Sequence, residues 1–188
     1  LDYIKTIIKT GNVSGENYYY QNIPFKLKDL FPIYMNGNNE SITIEKINGT
    51  TITDMYISEL LKEDTFIHIL NSLVRIQMNE YIDDNNNIYD NYSMKLKNRY
   101  ENYDYSLFKD SDKMYRKLLI KLEEYEKNKS GKKTVIHGDP VFTNIIINEY
   151  GKIKFIDMRG KIGNKLTICG DWLYDWAKIY QSLIGYDL

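Results

Sequence analysis

The segment His137-Gly138-Asp139-Pro140-Val141-Phe142-Thr143-Asn144, followed by Phe155-Ile156-Asp157, holds the residues whose types and spacing can do chemistry. An Asp and an Asn stand five positions apart, and a second Asp closes an apolar run. Phosphoryl transfer needs such a set: a carboxylate for the proton of an attacking hydroxyl, and an amide and a carboxylate to hold Mg²⁺. Asp139 is expected in the first role, as base or as orienting acceptor. Asn144 and Asp157 are expected in the second, because Mg²⁺ takes one or two protein oxygens and completes its octahedron with phosphates and water. His137 reads as structural, fixing the loop through backbone hydrogen bonds rather than carrying a proton. Arg159 reads either as a phosphate neighbour or as a surface partner, and ranks below the others. Taken singly, Asp, Asn and Gly are ordinary turn residues. The ordered run of strand, loop, hairpin and second Asp gives the set its weight.

The elements around these residues must bring Asp157 back beside Asn144. Residues 134–136 are β-branched and read as a short buried strand. Gly138 and Pro140 keep the following stretch a loop. Asn144 opens a strand over 145–147, the tip 148–151 turns the chain, and residues 152–156 return with Ile153 and Phe155 alternating against Lys152 and Lys154. Further on, Asp171 reads as the N-cap of a helix whose apolar face is Leu173, Trp176, Ala177, Tyr180 and Ile184, with Gly185 at its C-terminal end.

The spacing His-x-Asp-x-x-x-x-Asn matches the catalytic loop of protein kinases. With Gly138 in second place, the segment resembles the aminoglycoside phosphotransferase and choline kinase family of the protein-kinase-like superfamily. Gly170-Asp171-Trp172-Leu173-Tyr174-Asp175 resembles the element that follows the metal-binding Asp in that family. The resemblance is specific around residues 137–157, moderate at 170–175 and vague elsewhere. It implies an α+β fold, with a partial N-terminal lobe over 1–52 and a mostly helical lobe over 53–188 that carries the catalytic loop 137–144 and the metal Asp157. It implies ATP or GTP and Mg²⁺ as cofactors, and bracing roles beside the acceptor pocket for Asp171 and Asp175. It also implies a strand Lys paired with a helix Glu near the nucleotide phosphates. Lys5 and Glu16 are assigned to that pair, with Lys9 as the competing candidate. Backbone groups around Glu45 to Ile47 would meet the adenine edge. A Gly-rich phosphate-covering hairpin normally precedes the Lys, and only four residues precede Lys5.

The remaining chain is read element by element. A strand is expected over 3–8, broken by 11–15, then a short helix over 16–21. A second strand is expected over 30–35, a tight turn at 36–39 with its Asn-Gly signal, and a partner strand over 41–47. Thr53 or Asp54 is expected to cap a helix through Leu61, and Asp64 to cap another with Phe66, Ile69, Leu70, Leu73 and Ile76 facing the core. His68 falls one position off that stripe and reads as partly exposed. Residues 83–87 read as a solvated polar loop without the Gly and terminal Glu of a calcium site. Helices are expected over 92–100 and 113–127, the second with Leu118, Leu119, Leu122 and Tyr125 as its apolar face.

Composition narrows the function classes. The 188 residues, 43% hydrophobic, suffice for one domain with a real core. A net charge of −1 and no basic stripe among aromatics argue against a nucleic-acid partner. No apolar run is long enough for a bilayer, so no membrane partner is expected. The single cysteine, Cys169, fits a reducing cytoplasm and reads as a core residue. The chain begins at Leu1 rather than Met, as a fragment, a trimmed chain or a processed product would. The leading expectation is a small-molecule kinase acting on a hydroxyl of a sugar, an amino alcohol or an aminoglycoside. Acidic residues are dispersed, whereas a polycation would need an acidic pocket, which tilts the expectation toward a neutral or zwitterionic acceptor. The alternative is a non-catalytic, pseudokinase-like nucleotide-binding module of a larger protein. Composition says nothing of oligomeric state.

Overall fold

The computed structural model describes residues 4–79 and 87–186. Its first sheet is antiparallel, in the order β1 (Thr6–Thr10), β3 (Ser41–Glu45), β2 (Tyr34–Gly37). Helix α1 (Ser14–Asn22) and a 3₁₀ turn (Phe25–Leu30) intervene between β1 and β2. Ile42 and Ile44 of β3 are buried where Ser41, Thr43 and Glu45 are half-exposed, the period-two pattern of a one-sided strand. Tyr19, Leu27 and Phe31 close over that face, and Tyr19 packs on Phe31 with ring centroids 5.5 Å apart.

A second antiparallel sheet runs β4 (Gly49–Thr51), β6 (Ile145–Asn148), β7 (Ile153–Phe155). It carries the hairpin expected from the sequence, with Ile145 opposite Phe155. A third ladder pairs β5 (Lys133–Val135) with β10 (Cys169–Asp171), and a small one pairs β8 (Lys161–Ile162) with β9 (Lys165–Leu166). Around them lie α2 (Ile52–Ile57), α3 (Glu63–Gln77), α4 (Ser93–Asn102), α5 (Ser111–Lys127) and α6 (Trp172–Leu183). The architecture is mixed α+β, as expected. Ile69, Leu73 and Ile76 of α3 are fully buried beneath the hairpin residues Phe142, Ile145 and Phe155. Each such side chain contributes about 1.5–3 kcal/mol on leaving water.

Several sequence expectations shift. β1 begins and ends later than residues 3–8, and β2 later than 30–35. Asn36 and Gly37 therefore belong to the strand, and the turn falls on Asn38, whose Oδ1 accepts the Glu40 and Ser41 N–H groups. Thr51, not Thr53 or Asp54, caps α2: its hydroxyl oxygen accepts the Asp54 N–H at 3.1 Å. Lys62, without a side-chain cap bond, precedes α3 in place of the expected Asp64. Leu118 of α5 is 49% exposed and no residue of that helix is fully buried, so its packing face is shallower than its sequence suggests. His68 is exposed and Cys169 is buried. The polar loop expected at 83–87 lies, apart from Asn87, outside the described residues.

The largest departure is α6. Leu173, Ala177, Tyr180 and Ile184 of the expected apolar face are exposed. The buried side presents Tyr174, Asp175, Ile179 and Ser182, with Trp176 at its border. Two polar residues sit inside because the loop 137–144 needs acceptors for its backbone. A hydrophobicity reading has no means of seeing that demand. Among the described residues no helix is long and apolar enough to cross a membrane.

Candidate active site

The loop 137–144 is held from both sides. β5 delivers His137, whose side chain is completely buried. Its Nε2 lies 3.0 Å from the Ile156 carbonyl, and its Nδ1 accepts the Asp139 N–H at 3.1 Å. One ring nitrogen donates and the other accepts, so the imidazole is neutral. Burial depresses its pKa to about 4. Through these two bonds His137 ties the loop to the end of the hairpin.

Asp175 works from the other side. Its two carboxylate oxygens accept the His137 N–H at 2.7 Å and the Gly138 N–H at 2.8 Å. Its pKa is raised to about 7 by complete burial, opposed by those two hydrogen bonds. Ser182, two turns along α6, accepts the Phe142 N–H on Oγ at 2.9 Å. Gly138 adopts φ +87°, and a Cβ there would stand 2.7 Å from Cβ of Arg159, so only glycine fits. Asp171 caps α6 as expected and is buried. Its Oδ2 also accepts the Tyr92 and Tyr125 hydroxyls, each at 2.7 Å. Burial and this carboxylate raise both phenol pKa values.

Asp139, at the free edge of the loop, is half-exposed. Lys178 Nζ lies 2.9 Å from its Oδ1, an ion pair without hydrogen-bond alignment, and that oxygen accepts no other bond. Asn144 ends a 3₁₀ turn (Phe142–Asn144) rather than opening the strand. Its Nδ2 donates to the Asp139 carbonyl at 2.9 Å, so the amide oxygen is the side-chain atom not engaged by that bond. The Ile156 N–H donates to the Asn144 carbonyl at 3.0 Å and so ties the two strand ends together. Asp157 follows with an exposed carboxylate and φ +59°, a left-handed conformation uncommon outside glycine.

The Lys–Glu pair is formed by Lys9, not Lys5. Lys9 Nζ lies 2.5 Å from Glu16 Oε2 and also pairs with Asp157. Glu16 is 7% exposed, and burial raises its pKa against the opposing pull of Lys9. Lys5 and Lys9 share a strand face, but about 13 Å of strand separates them at the usual rise. Only Lys9 sits at the end next to α1. The α1 start is docked by Gly15 and Gly160: a Cβ on Gly160 would fall 1.8 Å from the Gly15 carbonyl oxygen, and Gly160 has φ +59°. This contact sets Glu16 beside Asp157, and nothing in the residue spacing announced it.

Lys5 instead borders a separate hollow of about 310 Å³ with Glu45, Ile47 and Tyr150. The Lys46 N–H donates to the Lys5 carbonyl at 2.8 Å, and Glu45 is tied to Ile33 through N–H, carbonyl and carboxylate. The expected residues thus divide into a group around the loop and hairpin (Lys9, Glu16, His137, Asp139, Asn144, Asp157, Asp175) and a separate group at this hollow (Lys5, Glu45, Ile47). Lys178 was missed in the sequence, although it stands three residues after Asp175 and so shares its helix face. Tyr174 and Arg159 meet at 3.2 Å between their hydroxyl and guanidinium groups.

No protein-family model and no curated protein sequence matches the chain. Solved structures do. A choline kinase from Streptococcus pneumoniae superposes with TM-score 0.65 at 14% identity, covering 98% of this chain and 64% of its own. An ethanolamine kinase from Plasmodium vivax gives TM-score 0.61 at 15% identity, over 97% of this chain and 55% of that one. An aminoglycoside phosphotransferase from Streptomyces rimosus, in complex with ADP and streptomycin, gives TM-score 0.56 at 12% identity, over 95% and 70%. This chain therefore spans about two thirds or less of the two kinases it resembles. Over nearly its whole length it has the fold shared by choline and ethanolamine kinases and aminoglycoside phosphotransferases.

Proposed function

We propose that this chain carries the reaction centre of a Mg²⁺-dependent phosphotransferase that moves the terminal phosphate of ATP or GTP to a hydroxyl of a small molecule. The observation that carries this reading is the convergence of Asp139, Asn144 and Asp157 on one loop and hairpin, with the Lys9–Glu16 pair reaching Asp157 from the first sheet. Asn144 and Asp157 offer one amide and one carboxylate oxygen, a donor set that suits a hard cation completed by phosphates and water. Bound there, Mg²⁺ would neutralise charge on the phosphates. Asp139 orients the acceptor hydroxyl and takes its proton as that oxygen bonds to the γ-phosphorus and the bond to the leaving diphosphate breaks. Lys178 positions Asp139. Lys9, whose ammonium pairs with both Glu16 and Asp157, would face the phosphate oxygens if Asp157 turned to a cation, with Glu16 keeping the ammonium in place.

Neighbouring structures name choline, ethanolamine and streptomycin as starting acceptors, and contain AMP or ADP. The test is ADP release with a panel of hydroxyl acceptors, comparing the chain with Asp139→Asn. Transfer falls at least 100-fold, in line with loss of general-base catalysis, while ATP affinity is kept. A second reading, a non-catalytic nucleotide-binding module, is favoured by the Lys178 ammonium, which blunts Asp139 as a base. That reading holds if no acceptor yields transfer that the Asp139 substitution removes.

A further inference from the structure

Two adjoining hollows, of about 560 and about 300 Å³, open beside the loop 137–144 and share Asn91, Lys95 and Arg99. Lys178, the partner of Asp139, lines the smaller one. Arg159, whose Cβ covers Gly138, lines the larger. The cleft therefore begins at the proposed hydroxyl position and runs outward along α4.

Its charge is one-sided. Among the described residues lining the two hollows, Lys95, Arg99, Arg159 and Lys178 are cationic and Asp90 alone is anionic. Asp90 already accepts from the Asn87 side-chain amide. Among the described residues, no carboxylate lies within ion-pair distance of Lys95, Arg99 or Arg159.

Lys95 Nζ and Arg159 Nη1 converge on one neutral atom, donating to the Tyr174 hydroxyl oxygen at 3.1 and 3.2 Å. Two cations gathered on a phenol oxygen repel each other, and an anion between them would relieve that repulsion. The phenol, with both lone pairs engaged, still has its own O–H to give, and an anionic oxygen is its natural acceptor. A quaternary ammonium or a polyamine would meet Lys95, Arg99 and Arg159 as repulsion, since of the four cations only Lys178 is paired with a carboxylate.

Resting on the phosphotransferase reading above, we propose that the acceptor is an anionic hydroxyl compound, such as a sugar acid or an already phosphorylated polyol. Its carboxylate or phosphate is bound by Lys95, Arg159 and the Tyr174 hydroxyl, with Arg99 at the outer edge. On this proposal the acceptor is anionic, where the dispersal of acidic residues along the sequence pointed to a neutral or zwitterionic one.

Calorimetry on the chain loaded with a non-hydrolysable ATP analogue and Mg²⁺ tests this, with D-glycerate and glycerol 3-phosphate as anionic probes, glycerol as neutral probe and choline as cationic probe. The anions are expected to bind at least tenfold more tightly than glycerol or choline. Lys95→Gln together with Arg99→Gln is expected to weaken the anions at least tenfold and leave analogue affinity unchanged. Tighter binding of choline, equal binding of all probes, binding of none, or anion binding indifferent to the double substitution overturns the proposal. Failure of the ATP analogue itself to bind is a separate outcome: it removes the nucleotide reading on which the proposal rests.

Discussion

Asp175 accepts the backbone N–H of His137 at 2.7 Å, and its other oxygen takes the next N–H in the chain, that of Gly138, at 2.8 Å. A carboxylate on α6 thus holds the backbone immediately before Asp139, while the His137 ring ties the same loop to the hairpin that carries Asp157. The loop 137–144 owes its shape to these two buried polar groups.

Asp175→Ala should therefore damage the loop more than its size suggests. It leaves two buried N–H groups without acceptors, at about 1–3 kcal/mol each. Urea unfolding is expected to show a loss of about 2–5 kcal/mol on that basis. A loss below about 1 kcal/mol, the range of ordinary surface substitutions, would contradict the bracing role.

The pH dependence of stability follows from the same pair, with opposing signs. His137 has a folded pKa near 4, below its ordinary 6.5. The unfolded chain binds the extra proton in that window, so this contribution rises with pH and is lost as pH falls toward 4. Asp175 has a folded pKa near 7, above its ordinary 3.8. There the folded chain binds the extra proton, so its contribution is present at low pH and lost as pH rises through 7. The two offset each other between pH 4 and 6.5. Asp175→Asn removes one of them, and stability of the variant should fall by about 2 kcal/mol more than the parent's between pH 6.5 and 4.5. Parallel pH curves for parent and variant would contradict the assignment.

The close approach of α1 to the strand following the hairpin gives a steric prediction. Gly160→Ala places a Cβ 1.8 Å from the Gly15 carbonyl oxygen at a positive φ. Stability should drop by roughly 2–4 kcal/mol from overpacking and backbone strain together. Nucleotide affinity should fall with it, since this contact seats Glu16 against Lys9. A variant with parental melting temperature and affinity would show that α1 is not held there.

Lys9 and Lys5 can be separated directly. Lys9→Met is expected to reduce affinity for Mg²⁺-ATP at least tenfold, the loss of about 1.4 kcal/mol or more of phosphate contact. Lys5→Met is expected to change it less than threefold. The reverse order would restore the pairing of Lys5 with Glu16 that the structure replaces.

The loop and hairpin were legible because their spacing is local. His137, Asp139 and Asn144 lie in the loop directly before the hairpin and Asp157 directly after it, and period-two alternation at Ile153 and Phe155 was enough to fold the return strand. Spacing along a strand does not tell which end meets a helix, so Lys5 and Lys9 compete in the sequence; the Gly15–Gly160 contact, between residues far apart in the chain, decides for Lys9. The α6 face was misjudged for a related reason. Burial there follows the hydrogen-bond demand of the loop backbone, so Asp175 and Ser182 turn inward while Leu173 and Tyr180 turn out. The cationic cleft was illegible for the same cause, since Lys95, Arg159 and Lys178 come from three different elements.

The most direct test of the central claim is calorimetric titration of ATP, with and without Mg²⁺, into this chain and into Asp157→Asn. Binding is expected to require Mg²⁺ and to weaken at least tenfold in the variant. Binding that ignores both the metal and the Asp157 substitution, or no binding by the parent chain, would contradict it.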